Sequence, residues 1–248
     1  MDIVYTIWLR SIKRYLRSKS RIIGSLGMPL FFLVIMGFGL NSVVEVPEGG
    51  DYVGFIMPGI IAMSILFTSI FSGIQIIWDK QFGFLKETLV APVSRVEIML
   101  GQTVGGATTS LIQGGLMLLL AFVLGLNLIG LTGLGIAITF MVLIGLAFTA
   151  FGVAIASKME DMHGFQLIMN FVIFPIFGLS GALFPLSGLP EWARPITYLD
   201  PLTYGVEGIR YGLSGASHID PLLCFLALGG FTVATILVGT HFFRKIKI

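Results

Sequence analysis

The chain is 248 residues long, 56% hydrophobic and 11% charged, with a mean hydropathy of +0.96. Soluble domains carry about 25% charged residues, so a soluble globular protein is excluded. The charges sum to only +2, but they are clustered, and the charge-free gaps at 22–44, 52–78, 98–157, 162–190 and 221–243 hold 162 residues.

A membrane-spanning helix needs about 20 apolar residues at ~1.5 Å rise. The gaps of 23, 27, 29 and 23 residues each hold one span, and the gap of 60 holds two. The expected fold is an all-α membrane protein in one domain over 1–248. It has six transmembrane helices at about 22–42, 52–78, 98–124, 133–156, 165–184 and 221–243, an N-terminal amphipathic interfacial helix and short outer helices before the last span.

In chain order, residues 1–21 begin with an amphipathic helix. Tyr5, Trp8, Leu9, Ile12 and Leu16 fall at helical spacing on one side, with Arg10, Arg14, Arg17 and Arg21 on the other. Such a helix serves either as an anchor on anionic lipid or as a lever against a partner. The first apolar stretch is longer than a signal peptide's and lacks a small-x-small cleavage site, so it is expected to stay as the first span. In the second span Ser64, Thr68, Ser72 and Gln75 share one helical face; the stripe either lines a path or hydrogen-bonds to a neighbouring helix. Residues 79–97 place charges around Phe82, Phe84, Leu85 and Leu89, the pattern of a short amphipathic helix closed by Pro92. The long gap breaks best at Gly125–Gly130, where Gly and Asn cluster. Gln166 and Asn170 in the fifth span leave the same two readings open as the stripe does. The segment 185–220 is proline-rich, with Asp200-Pro201 as helix cap and first helical residue. It is too apolar for a free loop, and short helices dipping into the outer leaflet are expected.

Small-xxx-small pairs, Gly101/Gly105, Ser110/Gly114, Gly152/Ala156 and Gly178/Ala182, read as helix-packing sites. Thirteen of the fifteen Lys and Arg fall on one side of the predicted spans, and only Arg194 and Arg210 on the other. The positive-inside rule puts that side, with both termini, in the cytoplasm. All three Trp and all six Tyr lie at or beyond span ends, as interfacial aromatics do.

The six spans carry no Asp, Glu, Lys or Arg in their middles, which disfavours an ion-coupled transporter. A Gly-Lys pair does not occur, so the sequence has no phosphate loop. His163, His218 and His241 sit in three separate regions, and His163 with Glu160 and Asp161 reads as a solvated polar loop rather than a metal set. No catalytic residue, metal or cofactor is expected in this chain, and its single Cys224 leaves the redox compartment unreadable.

Several stretches resemble the membrane permeases of type-two ATP-binding-cassette exporters, close to the daunorubicin-resistance and nodulation-export permeases. They are Tyr52–Gly59 entering the second span, Trp78–Glu87, Ala91–Arg95, then Asn170, Pro175, Ser180–Pro185, Leu189-Pro190, Asp200–Tyr204 and Arg210. The match runs in order through nearly the whole chain. It departs at Asp200-Pro201, where the family often has Asn or Gly. The resemblance implies an exporter permease in the cell membrane, moving a drug-like, lipid or lipid-linked substrate. It further implies a homodimer, or a dimer with a related permease, served by two cytoplasmic ATPase subunits that carry the ATP and magnesium. Carried onto this chain, it makes Gly83, Leu85, Lys86 and Glu87 the residues that couple to the ATPase, with Arg10, Arg14 and Arg17 on the neighbouring lever. Ser64, Thr68, Ser72, Gln75 and Asn170 become candidates for the translocation path. A passive channel or membrane scaffold has the same hydropathy and remains the rival reading; an intramembrane enzyme lacks the catalytic groups. Substrate identity is not written in this sequence.

Overall fold

The computed structural model describes residues 2–41, 51–84, 93–124, 130–188, 190–191 and 194–245. Leu85, Lys86 and Glu87, Pro92, most of the 125–130 break and Trp192 lie outside the described residues. Within them the chain is helical with no strand, an all-α membrane protein.

Helix α1 covers Asp2–Arg17. Helix α2, Lys19–Phe32, runs on into a π-helical stretch, Leu33–Phe38; Ile22–Phe38 together meets α1 at a bend of 72°. The second span, Tyr52–Gln81, is built of α3 (Tyr52–Ser72) and α4 (Ile74–Gln81). Then come α5 (Arg95–Val123), α6 (Leu131–Ala156), α7 (Met162–Leu179), the short α8 (Arg194–Leu199), α9 (Pro201–Ser214) and α10 (Pro221–Arg244). Five of these segments are long and apolar enough to cross a membrane, or up to six if the bent pair Ile3–Arg17 and Ile22–Phe38 is taken as one span.

Helix starts follow their capping residues. Ser94 and Glu97 form a capping box at α5. The carboxylates of Asp161, Asp200 and Asp220 accept N–H bonds from the first turns of α7, α9 and α10, the last two followed by proline at the first helical position. The helix expected over 165–184 stops at Leu179, where Ser180 and Gly181 turn the chain, Gly181 in the left-handed region at φ +70°.

Packing uses close backbone approach, which small residues permit where lipid offers no hydrophobic drive. At Gly73, the joint of α3 and α4, a Cβ would sit 2.6 Å from the carbonyl oxygen of Gly152 on α6, so the second and fourth spans cross nearly in backbone contact. Gly101 and Gly105 of α5 face Ile7 and Ser11 of α1 in the same way. By contrast Gly178 has nothing within 4 Å, and it is Ala182 that fits against Gly59.

Helix α1 runs alongside α5 in the same direction: the Trp8 indole N–H donates to Thr108 Oγ1 at 3.0 Å, and the Tyr15 hydroxyl to Gln113 Oε1 at 2.7 Å. The face turned to the protein is Ile7, Ser11 and Tyr15, while Tyr5 and Leu16 of the apolar stripe seen in the sequence stay exposed. In a bilayer the most apolar face meets lipid, and the face with a small residue meets protein.

Helix α9 re-enters the bundle. Gly205 packs on Ile144, Gly208 on Phe140 and Gly212 on Ala137, so α9 lies antiparallel along the first half of α6. At 1.5 Å per residue its first turn, at Ile144, lies about 20 Å below Leu131, the start of α6, deep in a ~30 Å hydrocarbon layer. The expected dip is therefore deeper than one leaflet's surface.

Candidate functional site: a clamp at the basic end and the cavity beside it

The end of the bundle where Arg95 meets Arg244, and where α1 begins, carries most of the cations and is called the basic end. There the second span finishes in two adjacent charges that face opposite ways. Arg10 donates to Asp79 Oδ1 at 2.8 Å, and the Gln75 amide donates to the same oxygen at 2.7 Å. Asp79 is buried, at 5% exposure. Lys80 Nζ donates to the carbonyl oxygens of Ala156, Ser157 and Met159 at 3.4, 2.5 and 3.1 Å. Those carbonyls belong to the last residue of α6 and the turn that follows it, and a cation there also meets the negative end of the helix dipole. The Gln81 amide continues the seam to Glu160 O at 2.9 Å. One helix end thus holds α1 on one side and the α6–α7 connection on the other.

Two aromatic contacts reinforce the α1 side, with the Arg10 guanidinium 4.3 Å from the Phe84 ring and that of Arg14 5.1 Å from Trp78. Gly83, with φ +76°, turns the chain after Lys80; Leu85, Lys86 and Glu87, expected to couple to an ATPase, lie outside the described residues. Arg17 is exposed on the outer face of α1 and does not join the seam.

Beside this clamp lies a cavity of about 500 Å³ between α2, the lower half of α3, α4 and the start of α7. Its walls are mostly apolar, with Met28, Phe67 and Phe71, and its polar points are Tyr15, Thr68, Ser72, Thr109 and Gln166. Edge-on aromatic pairs close it on the α7 side: Phe67 with Phe174 at 6.1 Å and Phe71 with Phe165 at 6.4 Å, with Phe32 against Phe177 at 5.7 Å further on. A smaller polar chamber of about 50 Å³ adjoins it, lined by Arg10, Arg14, Gln75 and Gln102 among others, and shares Tyr15, Ser72 and Thr109 with the larger space.

The structure divides the polar stripe of the second span. Thr68 and Ser72 line the cavity and Gln75 the chamber. Ser64 is buried, donates to Ile60 O at 3.0 Å and does not line the cavity. Asn170 stands on the exposed face of α7, away from the cavity lining.

At the opposite end sits a charged group that sequence reading missed. Glu207 and Arg210 of α9 are buried, at 0% and 4% exposure, and form an ion pair. Arg210 also donates to Gly181 O at 3.0 Å and lies 4.5 Å from the Phe55 ring. The His218 backbone N–H donates to Glu207 Oε2 at 2.6 Å. No span carries a mid-membrane charge, yet α9 brings two to a depth of about 13 Å beside Phe140. The i,i+3 spacing on a capped helix was the available signal.

A family profile described as ABC-2 type transporter matches residues 3–214, most of the chain and every element of the clamp, the cavity and the α9 pair. The chain belongs to the ABC-2 type transporter family. Among similar proteins, the inner membrane transport permease YadH of Escherichia coli (strain K12) is 27% identical over 239 residues, covering 94% of this chain and 91% of its own length. Nodulation protein J of Sinorhizobium fredii is 26% identical over 231 residues, covering 90% and 87%. The putative transport permease ycf38 of Cyanophora paradoxa is 28% identical over 206 residues, covering 80% and 69%. As an ABC-2 family member with relatives of this kind, the chain is a multi-pass transport permease.

Proposed function

We propose that this ABC-2 permease is the membrane subunit of an ATP-driven exporter, working as a homodimer in the cell membrane with its basic end and both termini in the cytoplasm. Two cytoplasmic ATPase subunits bind ATP and magnesium, dock on 83–87 and drive the cycle; the permease itself hydrolyses nothing. The cargo is a drug-like, lipid or lipid-linked molecule, and multidrug efflux is one form this takes. The path runs through the cavity at Thr68 and Ser72, with Gln75 at its polar end and the exposed Asn170 face of α7 turned to the second copy. Ser64, hydrogen-bonded within α3, contributes packing.

The observation that carries this reading is the clamp. The second span ends a few residues before the proposed docking segment, and through Asp79 and Lys80 it is tied to α1 and to the α6–α7 connection. A push on the docking segment is thereby delivered to two sides of the cavity at once. A passive channel or scaffold has no need for such a junction. Pumping requires that the partner's two states contact two permease conformations differently.

The test is reconstitution of the permease with its co-purifying ATPase in inside-out vesicles. Cargo should accumulate only with ATP, and Glu87→Arg should abolish accumulation while membrane insertion stays normal. Uphill movement by the permease alone, or full transport by Glu87→Arg, would overturn the reading or its docking segment respectively.

A further inference from the structure

A second basic surface lies apart from the clamp, in the elbow between α1 and α2. It is an open groove of about 920 Å³, bordered by Leu9, Lys13 and Arg17 on successive turns of α1 and by Lys19 and Ser20 at the start of α2. Lys13, Arg17 and Lys19 are exposed and make no hydrogen bond or ion pair among the described residues, and no carboxylate lines the groove there. Arg10 and Arg14 border it too, but Arg10 is bonded to Asp79 and Arg14 lies over Trp78, so the charge open to an anion is that of the other three. At ~100° per residue, Lys19, Ser20, Ile23, Gly27 and Phe31 fall within about one third of the circumference of α2. Ile23, Gly27, Phe31 and Val34 are exposed, and Gly27 has nothing within 4 Å, which leaves a notch in this apolar stripe. From Ile23 to Val34 the stripe runs about 16 Å, close to the ~15 Å of one leaflet's hydrocarbon.

We propose that the elbow and the stripe hold one anionic bilayer phospholipid of the leaflet at the basic end, its phosphate between Lys13, Arg17 and Lys19 and one acyl tail along Ile23, Gly27 and Phe31. Arg17 presents a forked pair of N–H donors that matches phosphate geometry, and the two lysines add point charges. Basic pockets beside a span bind anionic headgroups, each cation near the surface favouring them about fivefold. The stripe is what selects a lipid over an acidic protein surface. It begins where the cations end and is as long as one tail, a shape that a soluble partner lacks. The anchor and the lever thereby fall on two sides of the same helix, with Arg10 gripping the clamp and Lys13 and Arg17 the bilayer. The inference goes beyond the exporter reading and involves no ATPase.

The experiment uses the full-length permease carrying Phe31→Trp, in nanodiscs of phosphatidylcholine with a minor share of phosphatidylglycerol, the tails of one lipid or of the other being brominated. Quenching at position 31 is obtained as the difference from the wild-type protein with its three native tryptophans. Brominated phosphatidylglycerol should quench as though enriched about tenfold or more over its share of the bilayer, and Lys13→Gln/Arg17→Gln should bring it to within about twofold of that share. Arg244→Gln/Lys245→Gln, which removes two cations of the same end outside the groove, should leave the enrichment intact. Quenching in proportion to lipid share would overturn the proposal; so would enrichment unchanged in the elbow variant, or lost equally in the control. Absence of quenching by either lipid would mean that a second copy or another protein surface covers α2, and would overturn it as well. Wild-type protein supplies a measurement that needs no variant to fold. In native mass spectrometry from detergent with equal amounts of the two lipids, phosphatidylglycerol should be retained about tenfold or more over phosphatidylcholine, and equal retention would overturn the proposal. Enrichment without ATP-driven transport would keep the lipid site and sink the exporter reading, and ATP-driven transport without enrichment would do the reverse.

Discussion

Arg210→Met should be among the most damaging single substitutions in the chain. Methionine fills much of the arginine's volume but leaves Glu207, with 0% exposure, as a charge deep in the bundle, held only by its bonds to His218. Removing one partner of a buried pair costs about 3–5 kcal/mol. The hydrogen bond to Gly181 O and the contact with Phe55 are lost as well. At about 2–4 °C per kcal/mol for a chain of this size, the melting temperature of the detergent-solubilised permease should fall by about 6–20 °C. Glu207→Gln in the same chain removes the orphaned charge while keeping an acceptor for the His218 N–H. The double variant Glu207→Gln/Arg210→Met should therefore recover a large part of the loss, with a coupling of about 1–3 kcal/mol in the cycle. Thermal unfolding followed by the intrinsic fluorescence of wild type, both single variants and the double variant measures this. Additive losses, or an Arg210→Met protein melting within about 2 °C of wild type, would show that the pair is not a desolvated unit and that α9 does not reach the depth inferred.

Lys80→Met removes a cation from the three carbonyls at the end of α6; Lys80 is half-buried, so a discounted loss of about 1–2 kcal/mol is expected, read as faster hydrogen exchange across 156–160. Gly105→Leu places a side chain where Ser11 Oγ already stands 2.7 Å from a Cβ; α1 should be forced off α5, at about 1–3 kcal/mol, with Trp8 fluorescence shifting as its bond to Thr108 breaks. Thr68→Leu should change which cargoes are exported more than ATPase binding, and unchanged export across several substrates would count against its place on the path.

The spans were legible because hydrocarbon demands long uncharged helices, and the capped start of α9 because Asp-Pro has few other local uses. The clamp was half legible. Asp79 and Lys80 stand in the sequence as two charges of an amphipathic segment, but the carbonyls that Lys80 meets are 76 to 79 residues away, and carbonyls leave no mark in a sequence. The depth of α9 was hidden for a related reason. Glu207 and Arg210 three residues apart look like solvated charges of an outer loop, and only the glycines at 205, 208 and 212 let that helix close against α6. On α1 the periodicity located the helix and its basic side, while the protein-facing side was set by the fit of Ser11 to Gly105, which hydrophobicity does not measure.

Arg95 donates to the last described carbonyl of α10, Arg244 O, at 2.7 Å, as Lys80 does to those of α6. Cations whose uneven distribution tells the insertion machinery which way to thread the polypeptide therefore do a second task once it is threaded, sealing frayed helix tails. Charge-swap experiments meant to flip the topology would also unpick those tails, and a chain inserted upside down would have nothing to plug them with. Correct threading and tight closure are in this way selected by the same few side chains.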